Sequence, residues 1–116
     1  MMLTEEEAGE IFAKLLTRTV ERSVRWTQFM DSSYEFDYRT SRFGFFVRSR
    51  DADDQSPYVV EIWAYPEGDG SGTKVFEKSS HLAHEVGPLI VDLYEAAKRS
   101  ALNLDHLKDS ILDDLG

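Results

Sequence analysis

The residues in this sequence whose types and spacing best suit chemistry are two histidines and a glutamate, His81, His84 and Glu85. Two histidines three residues apart can share one face of a helix and ligate zinc or another divalent ion. Gly87 and Pro88 predict, however, that the next helix begins after them, because proline favours the first helical position. Both histidines then lie in a loop, so we predict a polar loop without a bound metal or cofactor.

Two other patterns are similar to ligand loops but fail on spacing. Asp51, Asp53 and Asp54 resemble the start of a calcium loop, but Ser56 and Ile62 stand where an EF-hand needs glycine and glutamate. The glycines within 68–72 lie in a predicted hairpin tip at 66–72 that joins two strands, whereas phosphate loops join a strand to a helix. No serine lies in a nucleophile-elbow pattern, and the chain has no cysteine. We therefore predict that the protein is not an enzyme.

Arginines and aromatic residues form a second candidate set. In the alternation of the predicted strands, Arg25 shares a face with Phe29. By the same alternation, Arg48 shares a face with Phe46. Guanidinium groups beside aromatic rings can bind planar anions or single-stranded nucleic acid by stacking. Two other roles stay open for these arginines: pairing with acids on neighbouring strands, and contact with a protein partner.

Trp63 and Tyr65 point to the opposite side of their predicted strand from Ile62. If Ile62 faces the helices, the two aromatic residues lie on the outer face of the sheet. There they either contact a partner or a second copy, since aromatic residues are enriched at interfaces, or they are covered by the last strand and its loops.

The formal charge is unevenly distributed. Residues 1–50 carry eight acids and eight bases, whereas residues 51–116 carry fourteen acids and five bases, which accounts for the net charge of −9. This excess argues against nucleic acid and anionic membranes as partners and favours a basic protein. Asp113 and Asp114 lie at the negative end of the last helix dipole, where acids are unfavourable. They form either a frayed tail or an acidic group for a basic surface, such as the arginines of a second copy.

Composition indicates one soluble domain over residues 1–116, with 41% apolar and 30% charged residues. No apolar run approaches the roughly 20 residues that span a bilayer. Glu5, Glu6 and Glu7 stand where a signal peptide would be basic and apolar. The lack of cysteine fits a reducing compartment. We therefore expect a cytoplasmic protein.

Periodicity predicts the elements that position these residues. A helix begins at the capping box Thr4–Glu7 and runs to residue 19 or 20. Alternating segments predict strands at 24–30, 34–39, 43–48, 58–65 and 73–78. Two helices follow, one from Pro88 and one capped by Asn103. The apolar stripe predicted for the last helix consists of Leu104, Leu107, Ile111, Leu112 and Leu115. Short connections favour an antiparallel meander, so the predicted fold is α+β, with a five-stranded sheet and two C-terminal helices packed on one face.

The resulting hypothesis is a small, acidic, cytoplasmic protein-binding module that is inhibitor-, immunity- or chaperone-like and homodimeric. Its predicted partner-binding residues are Trp63, Tyr65, Phe46, Arg25, Arg48, Asp113 and Asp114. The alternative is a binder of a small anionic ligand or nucleic acid through the arginine–aromatic sheet face. Size and low isoelectric point are similar to those of type III secretion chaperones, but five consecutive strands depart from their interrupted pattern.

Overall fold

The computed structural model describes residues 2–66, 71–83 and 85–116. In chain order its elements are α1 (Glu5–Val20), β1 (Thr27–Gln28), β2 (Glu35–Arg39), β3 (Phe43–Ser49), β4 (Tyr58–Ala64), β5 (Thr73–Ser79), α2 (Gly87–Ala101) and α3 (Leu104–Leu115). The predicted α+β class and order of elements are confirmed. The predicted hairpin tip includes residues 67–70, and these lie outside the described residues.

The predicted capping box begins α1. The backbone N–H of Thr4 donates to Glu7 Oε1 at 2.9 Å, and the N–H of Glu7 donates to Thr4 Oγ1 at 3.1 Å. These two bonds satisfy N–H groups that a helix start otherwise leaves without partners. Ala8, Phe12 and Leu15 then recur at helical spacing and are buried. The capping box thus determines where α1 begins, and the apolar stripe determines which side of α1 packs against the core.

The five strands form one antiparallel sheet in the order β1 to β5, as predicted. The first strand is the exception, because only Thr27 and Gln28 pair with β2. The chain then turns through Met30 and Asp31, whose φ angles of 52° and 59° are left-handed and incompatible with a strand. The predicted strand over residues 24–30 was therefore wrong at both ends.

One face of the sheet packs on α1 and α2. Phe12 of α1 meets Phe76 of β5 edge to face at 5.8 Å between ring centroids. Phe36 of β2 lies 5.7 Å from Tyr94 of α2. The buried core combines these residues with Ala8, Leu15, Trp26, Val47, Tyr58, Val60, Ile62, Val86, Ile90, Leu93 and Ala97. Removal of this apolar surface from water is the main force that holds the layers together.

Trp26 joins α1, α2 and the start of the sheet. Its indole Nε1–H donates to Thr19 Oγ1 at 3.0 Å, and the Thr19 hydroxyl donates to the carbonyl of Leu15 at 2.7 Å. The backbone N–H of Trp26 donates to Ser100 Oγ at 2.9 Å. Because this N–H is directed at α2, residues before Thr27 do not extend β1. Arg25 consequently lies outside the sheet.

The acidic segment 51–54 is partly anchored rather than wholly solvated. The Tyr94 hydroxyl donates to Asp54 Oδ1 at 2.7 Å, and the Lys98 ammonium group bonds the other carboxylate oxygen. Tyr58 stacks on Tyr94 with ring centroids 4.1 Å apart. Burial alone raises the pKa of Asp54, but the hydrogen bonds from Lys98 and Tyr94 and the charge of Lys98 outweigh it and lower the pKa. The loop is thereby fixed to α2.

Among the described residues, no helix combines the length and the apolar character needed to cross a bilayer.

We predict that Tyr94→Phe lowers the free energy of unfolding by about 1–2 kcal/mol at neutral pH, because a hydrogen bond to a carboxylate is lost. The depressed pKa of Asp54 stabilises the fold above about pH 4, and this contribution is lost as pH falls through the folded pKa. The difference between wild type and variant should therefore shrink in acid. Urea unfolding across this pH range measures it.

Tyr38→Phe is the control, because no hydrogen bond of the Tyr38 hydroxyl occurs in the described part of the chain. It should change stability by less than about 0.5 kcal/mol. Equal losses in the two variants, or a Tyr94→Phe loss that does not depend on pH, would refute the anchoring role of Asp54.

Candidate functional site

An apolar stripe on α3 is open to solvent. Leu107, Ile111, Leu112 and Leu115 are 52%, 51%, 58% and 77% exposed. All twelve residues of α3 are described, and none of them is buried. Leu107, Ile111 and Leu115 are spaced four apart and share one face of the helix. The stripe predicted for the last helix is therefore present, but it is uncovered.

The turn between α2 and α3 directs α3 away from the core. Asn103 has a left-handed φ of 55°, a conformation that asparagine tolerates at the end of a helix. Asn103 lies at the predicted N-cap position of α3, but its side chain forms no capping hydrogen bond. The radius of gyration is 14.8 Å, against about 13.4 Å expected for a compact chain of this length. The projecting helix is consistent with this excess.

The polar side of α3 faces its own chain. Asp105 pairs with Arg99 of α2 and lies 3.7 Å from the Arg22 guanidinium group. The hydrogen bond from Arg99 lowers the pKa of Asp105. Asp109 also lines a cleft against α1 and α2. Asp109 and Ile111 are two residues apart and thus point in nearly opposite directions on a helix. The apolar stripe therefore faces outward.

Four charged side chains of α3 have no ion pair with any residue in the described ranges: Lys108, Asp109, Asp113 and Asp114. Lys108 lies three residues before Ile111 and Asp114 lies three residues after it, so they flank Ile111 on its two sides. Asp113 points to the opposite side of the helix. Of the two acids predicted to meet a partner, Asp114 is thus placed beside the exposed stripe.

The outer face of the sheet carries a network of charges. Arg48 pairs with Glu61, and its second terminal nitrogen lies 3.6 Å from Glu77. The indole N–H of Trp63 donates to Glu61 Oε1 at 2.9 Å. Lys74 lies 3.3 Å from Glu77 and 5.9 Å above the Trp63 ring. Of the roles left open for Arg48, intramolecular pairing is the one that the structure contains.

Glu61 is the centre of this network. Burial alone raises its pKa, but hydrogen bonds from Trp63 and Arg48 and the positive charge of Arg48 and Lys74 lower it. The carboxylate therefore stays ionised and holds both Arg48 and Trp63 against the sheet. An anionic ligand would have to displace Glu61 to reach Arg48.

Tyr65 lies on the outer face but is only 7% exposed. Its ring lies across Gly44 and against Gly72, where an added Cβ would overlap the ring. The Arg39 guanidinium group covers the ring at 4.1 Å from its centroid. Of the two alternatives left open for Tyr65, cover by neighbouring strands and loops is the one that the structure contains. Glycines at two facing positions were the available sequence signal.

Phe46 and Phe29 also meet on this face, edge to face at 5.5 Å between ring centroids. Four of the predicted partner-binding residues, Phe46, Arg48, Trp63 and Tyr65, therefore share the outer face of the sheet. Arg25, Asp113 and Asp114 do not lie with them. Arg25 and Phe29 were predicted to share a face of one strand. They do not, because β1 begins only at Thr27.

Arg25 instead lines a cleft of about 400 Å³ between the end of α1, α2 and the start of α3. Arg22 and Arg99 also line the cleft, and both form ion pairs with Asp105. Arg25 has no ion pair among the residues that the structure describes. Sequence reasoning missed this cleft, because it forms from three segments far apart in the chain.

Of the three candidate metal ligands, His81 and Glu85 are among the described residues. His81 lies in a turn, and its Nδ1 is 2.7 Å from Ser79 Oγ. The backbone N–H of Glu85 donates to Glu5 Oε1 at 3.1 Å. No group of three histidine, aspartate or glutamate side chains that could hold a metal occurs in the described residues. His84 lies outside them.

No family model, curated protein or solved structure matches this chain.

We predict that Arg48→Met and Glu61→Gln are energetically coupled by about 1–2 kcal/mol in a double-mutant cycle, because both side chains are partly buried. Since the pKa of Glu61 is depressed, the coupling should be present above about pH 4.3 and fade as pH falls. Urea unfolding of the four proteins measures it.

The exposed pair of Arg50 and Asp51, 3.4 Å apart, is the matched control. Its cycle should give a coupling near zero. Equal coupling in the two cycles would show that the outer-face network does not differ from an ordinary surface pair.

Proposed function

We propose that this chain is a small protein-binding module without catalytic activity, inhibitor-, immunity- or chaperone-like, and that α3 is its binding element. The observation that carries the proposal is the outward apolar stripe of α3. Contiguous exposed apolar side chains on a small protein mark interaction surfaces. An amphipathic helix commonly binds by laying such a face into an apolar groove or against another helix.

The net charge of the chain narrows the class of partner that it can bind. With a net charge of −9, the chain attracts basic proteins at long range and repels acidic ones. Asp114 supplies an acidic border on the stripe itself. The partner classes we propose are therefore a basic protein or a second copy of this chain. The absence of cysteine supports a reducing compartment, and we propose the cytoplasm.

The probe for this proposal is a synthetic amphipathic peptide whose apolar face is bordered by lysines. Wild type should bind it saturably in isothermal titration calorimetry. Ile111→Asp should weaken binding at least about tenfold, because it places a charge in the centre of the apolar contact. Ile111 is half exposed, so the variant should keep the wild-type fold and nearly its stability.

Val20→Asp is the matched control, since Val20 is an apolar residue of α1 that is 67% exposed. It should bind the peptide like wild type. Equal binding by Ile111→Asp would show that the peptide is held by charge alone and would contradict the role of α3. If the wild-type chain neither binds the peptide nor self-associates, the proposal that it is a protein-binding module is contradicted.

A second candidate function, binding of a small anion, is favoured by one observation. Arg25 lines the cleft beside Arg22 and Arg99 and has no ion pair within the described part of the chain. The sheet face first considered for an anion has Arg48 occupied by Glu61 and Glu77. The cleft, with a volume of about 400 Å³, is within the range of small-ligand sites.

Inorganic pyrophosphate is the probe for this candidate. If the cleft binds anions, pyrophosphate should raise the thermal midpoint of wild type, and Arg25→Gln should abolish the rise. Arg42→Gln, which removes an exposed arginine next to β3, should leave the rise intact. A rise that is the same in all three proteins would exclude the cleft as its cause.

A further inference from the structure

We propose that the cleft lined by Arg22, Arg25 and Arg99, here called the arginine cleft, is an effector site in which a ligand with two linked phosphate groups displaces Asp105 and releases α3. The inference rests on the proposed function, since it names what regulates the binding helix. It goes beyond the candidate anion site, because it connects occupation of that site to the order of α3.

The arginine cleft already holds one anionic group, and that group belongs to α3. One carboxylate oxygen of Asp105 accepts a hydrogen bond from the Arg99 guanidinium group, and the other lies 3.7 Å from Nε of Arg22. Arginines bind phosphate groups through the same charge-assisted contacts that they make with carboxylates. The structure therefore contains an anion position whose occupant is part of the chain.

Arg25 provides a further positive group that Asp105 does not use. It lines the same cleft and has no ion pair with any residue in the ranges described. A ligand with one anionic group would only take the place of Asp105, whereas a second linked group can also bind Arg25. The volume of about 400 Å³ admits such a ligand. Two linked phosphate groups therefore suit the cleft better than one.

The two acids that line the cleft, Asp105 and Asp109, both belong to α3. The three arginines belong to α2 and to the segment after α1. Release of α3 therefore removes the acids and leaves the arginines to the ligand. The net charge of −9 opposes an anion at long range, but salt screens exposed charges beyond about 8 Å at physiological ionic strength. The arginines nearest to the ligand thus determine its binding.

α3 depends on the Asp105 ion pair more than a packed helix would. None of its twelve residues is buried, and an isolated helix of this length is marginal in water. The side chains of Arg99 and Asp105 are 48% and 36% exposed, and ion pairs this exposed contribute little free energy. A ligand with two phosphate groups can therefore replace the carboxylate. The first turn of α3 then loses the contact that holds it.

Competition for the arginines is reciprocal. The factor by which Asp105 lowers the affinity for the ligand is also the factor by which the ligand lowers the ratio of docked to released α3. A released α3 has to be ordered again when a partner binds its apolar stripe, which costs conformational entropy. The ligand is thus a negative regulator of partner binding.

Isothermal titration calorimetry without divalent cations tests the site. Inorganic pyrophosphate should bind wild type at least about tenfold more tightly than inorganic phosphate, and Arg25→Gln should remove most of this difference. Asp105→Asn should raise the pyrophosphate affinity at least about threefold, because the competing carboxylate is lost. Asp113→Asn is the matched control, since it makes the same change in net charge at a residue outside the cleft, and it should bind like wild type.

ADP carries the same two phosphate groups on a nucleoside. Tighter binding of ADP than of pyrophosphate would identify a nucleotide as the source of the ligand, whereas equal or weaker binding would identify free diphosphate.

Amide hydrogen exchange in residues 104–115 tests the release of α3. Saturating pyrophosphate should speed this exchange at least about threefold in wild type, relative to sodium chloride at the same ionic strength. In Asp105→Asn the exchange should be fast without ligand and should not change when pyrophosphate is added. Exchange in α1, which packs on the core, should stay the same throughout.

The effector site is overturned if neither wild type nor Asp105→Asn binds pyrophosphate, or if Asp105→Asn and Asp113→Asn gain affinity equally. Pyrophosphate binding that leaves exchange in α3 unchanged overturns the release of the helix. The proposed function is tested separately by the lysine-bordered peptide. If Ile111→Asp binds that peptide like wild type while pyrophosphate still releases α3, the proposed function fails and the coupling within the chain remains.

Discussion

The architecture depends on one constraint: in the described structure, α1 and α2 cover one face of a five-stranded sheet and leave the other face to solvent. The covered face can be wholly apolar, and Phe36, Val47 and Val60 lie opposite one another across three strands. The open face must meet water. It does so with the ion pair of Arg48 and Glu61. The two charged groups hold neighbouring side chains in place, and both groups remain partly exposed to water.

This constraint explains why the predicted partner-binding residues of the sheet are largely occupied within the chain. A face without a covering layer can bury an aromatic ring only beneath its own neighbours. Tyr65 is buried because Gly44 leaves room for the ring and Arg39 covers it. Trp63 directs its indole N–H to Glu61. Aromatic residues on an outer face are therefore not by themselves evidence of a missing partner, since the sheet can satisfy them internally.

Local patterns were enough to predict most of the fold. The capping box at Thr4 and the alternation of the central strands depend on near neighbours, and both were predicted correctly. Features that depend on distant contacts were not. The start of β1 depends on a hydrogen bond between Trp26 and Ser100, 74 residues away. The position of Arg25 follows from that bond. Periodicity also predicts the apolar stripe of α3, but it contains no information on whether anything covers it.

The orientation of α3 is the feature that packing within the chain does not explain. Burying one leucine or isoleucine side chain stabilises a protein by about 1.5–3 kcal/mol, and four such side chains on α3 remain more than half exposed. An isolated helix of twelve residues is also marginal in water, because nucleation is costly. The ion pair of Asp105 with Arg99 and the contact with α2 hold its first turn, whereas its C-terminal half has the unfavourable charges of Asp113 and Asp114. Order in the C-terminal half of α3 and occupation of its apolar stripe are therefore coupled: a partner that buries Ile111 and Leu115 also stabilises the helix that presents them.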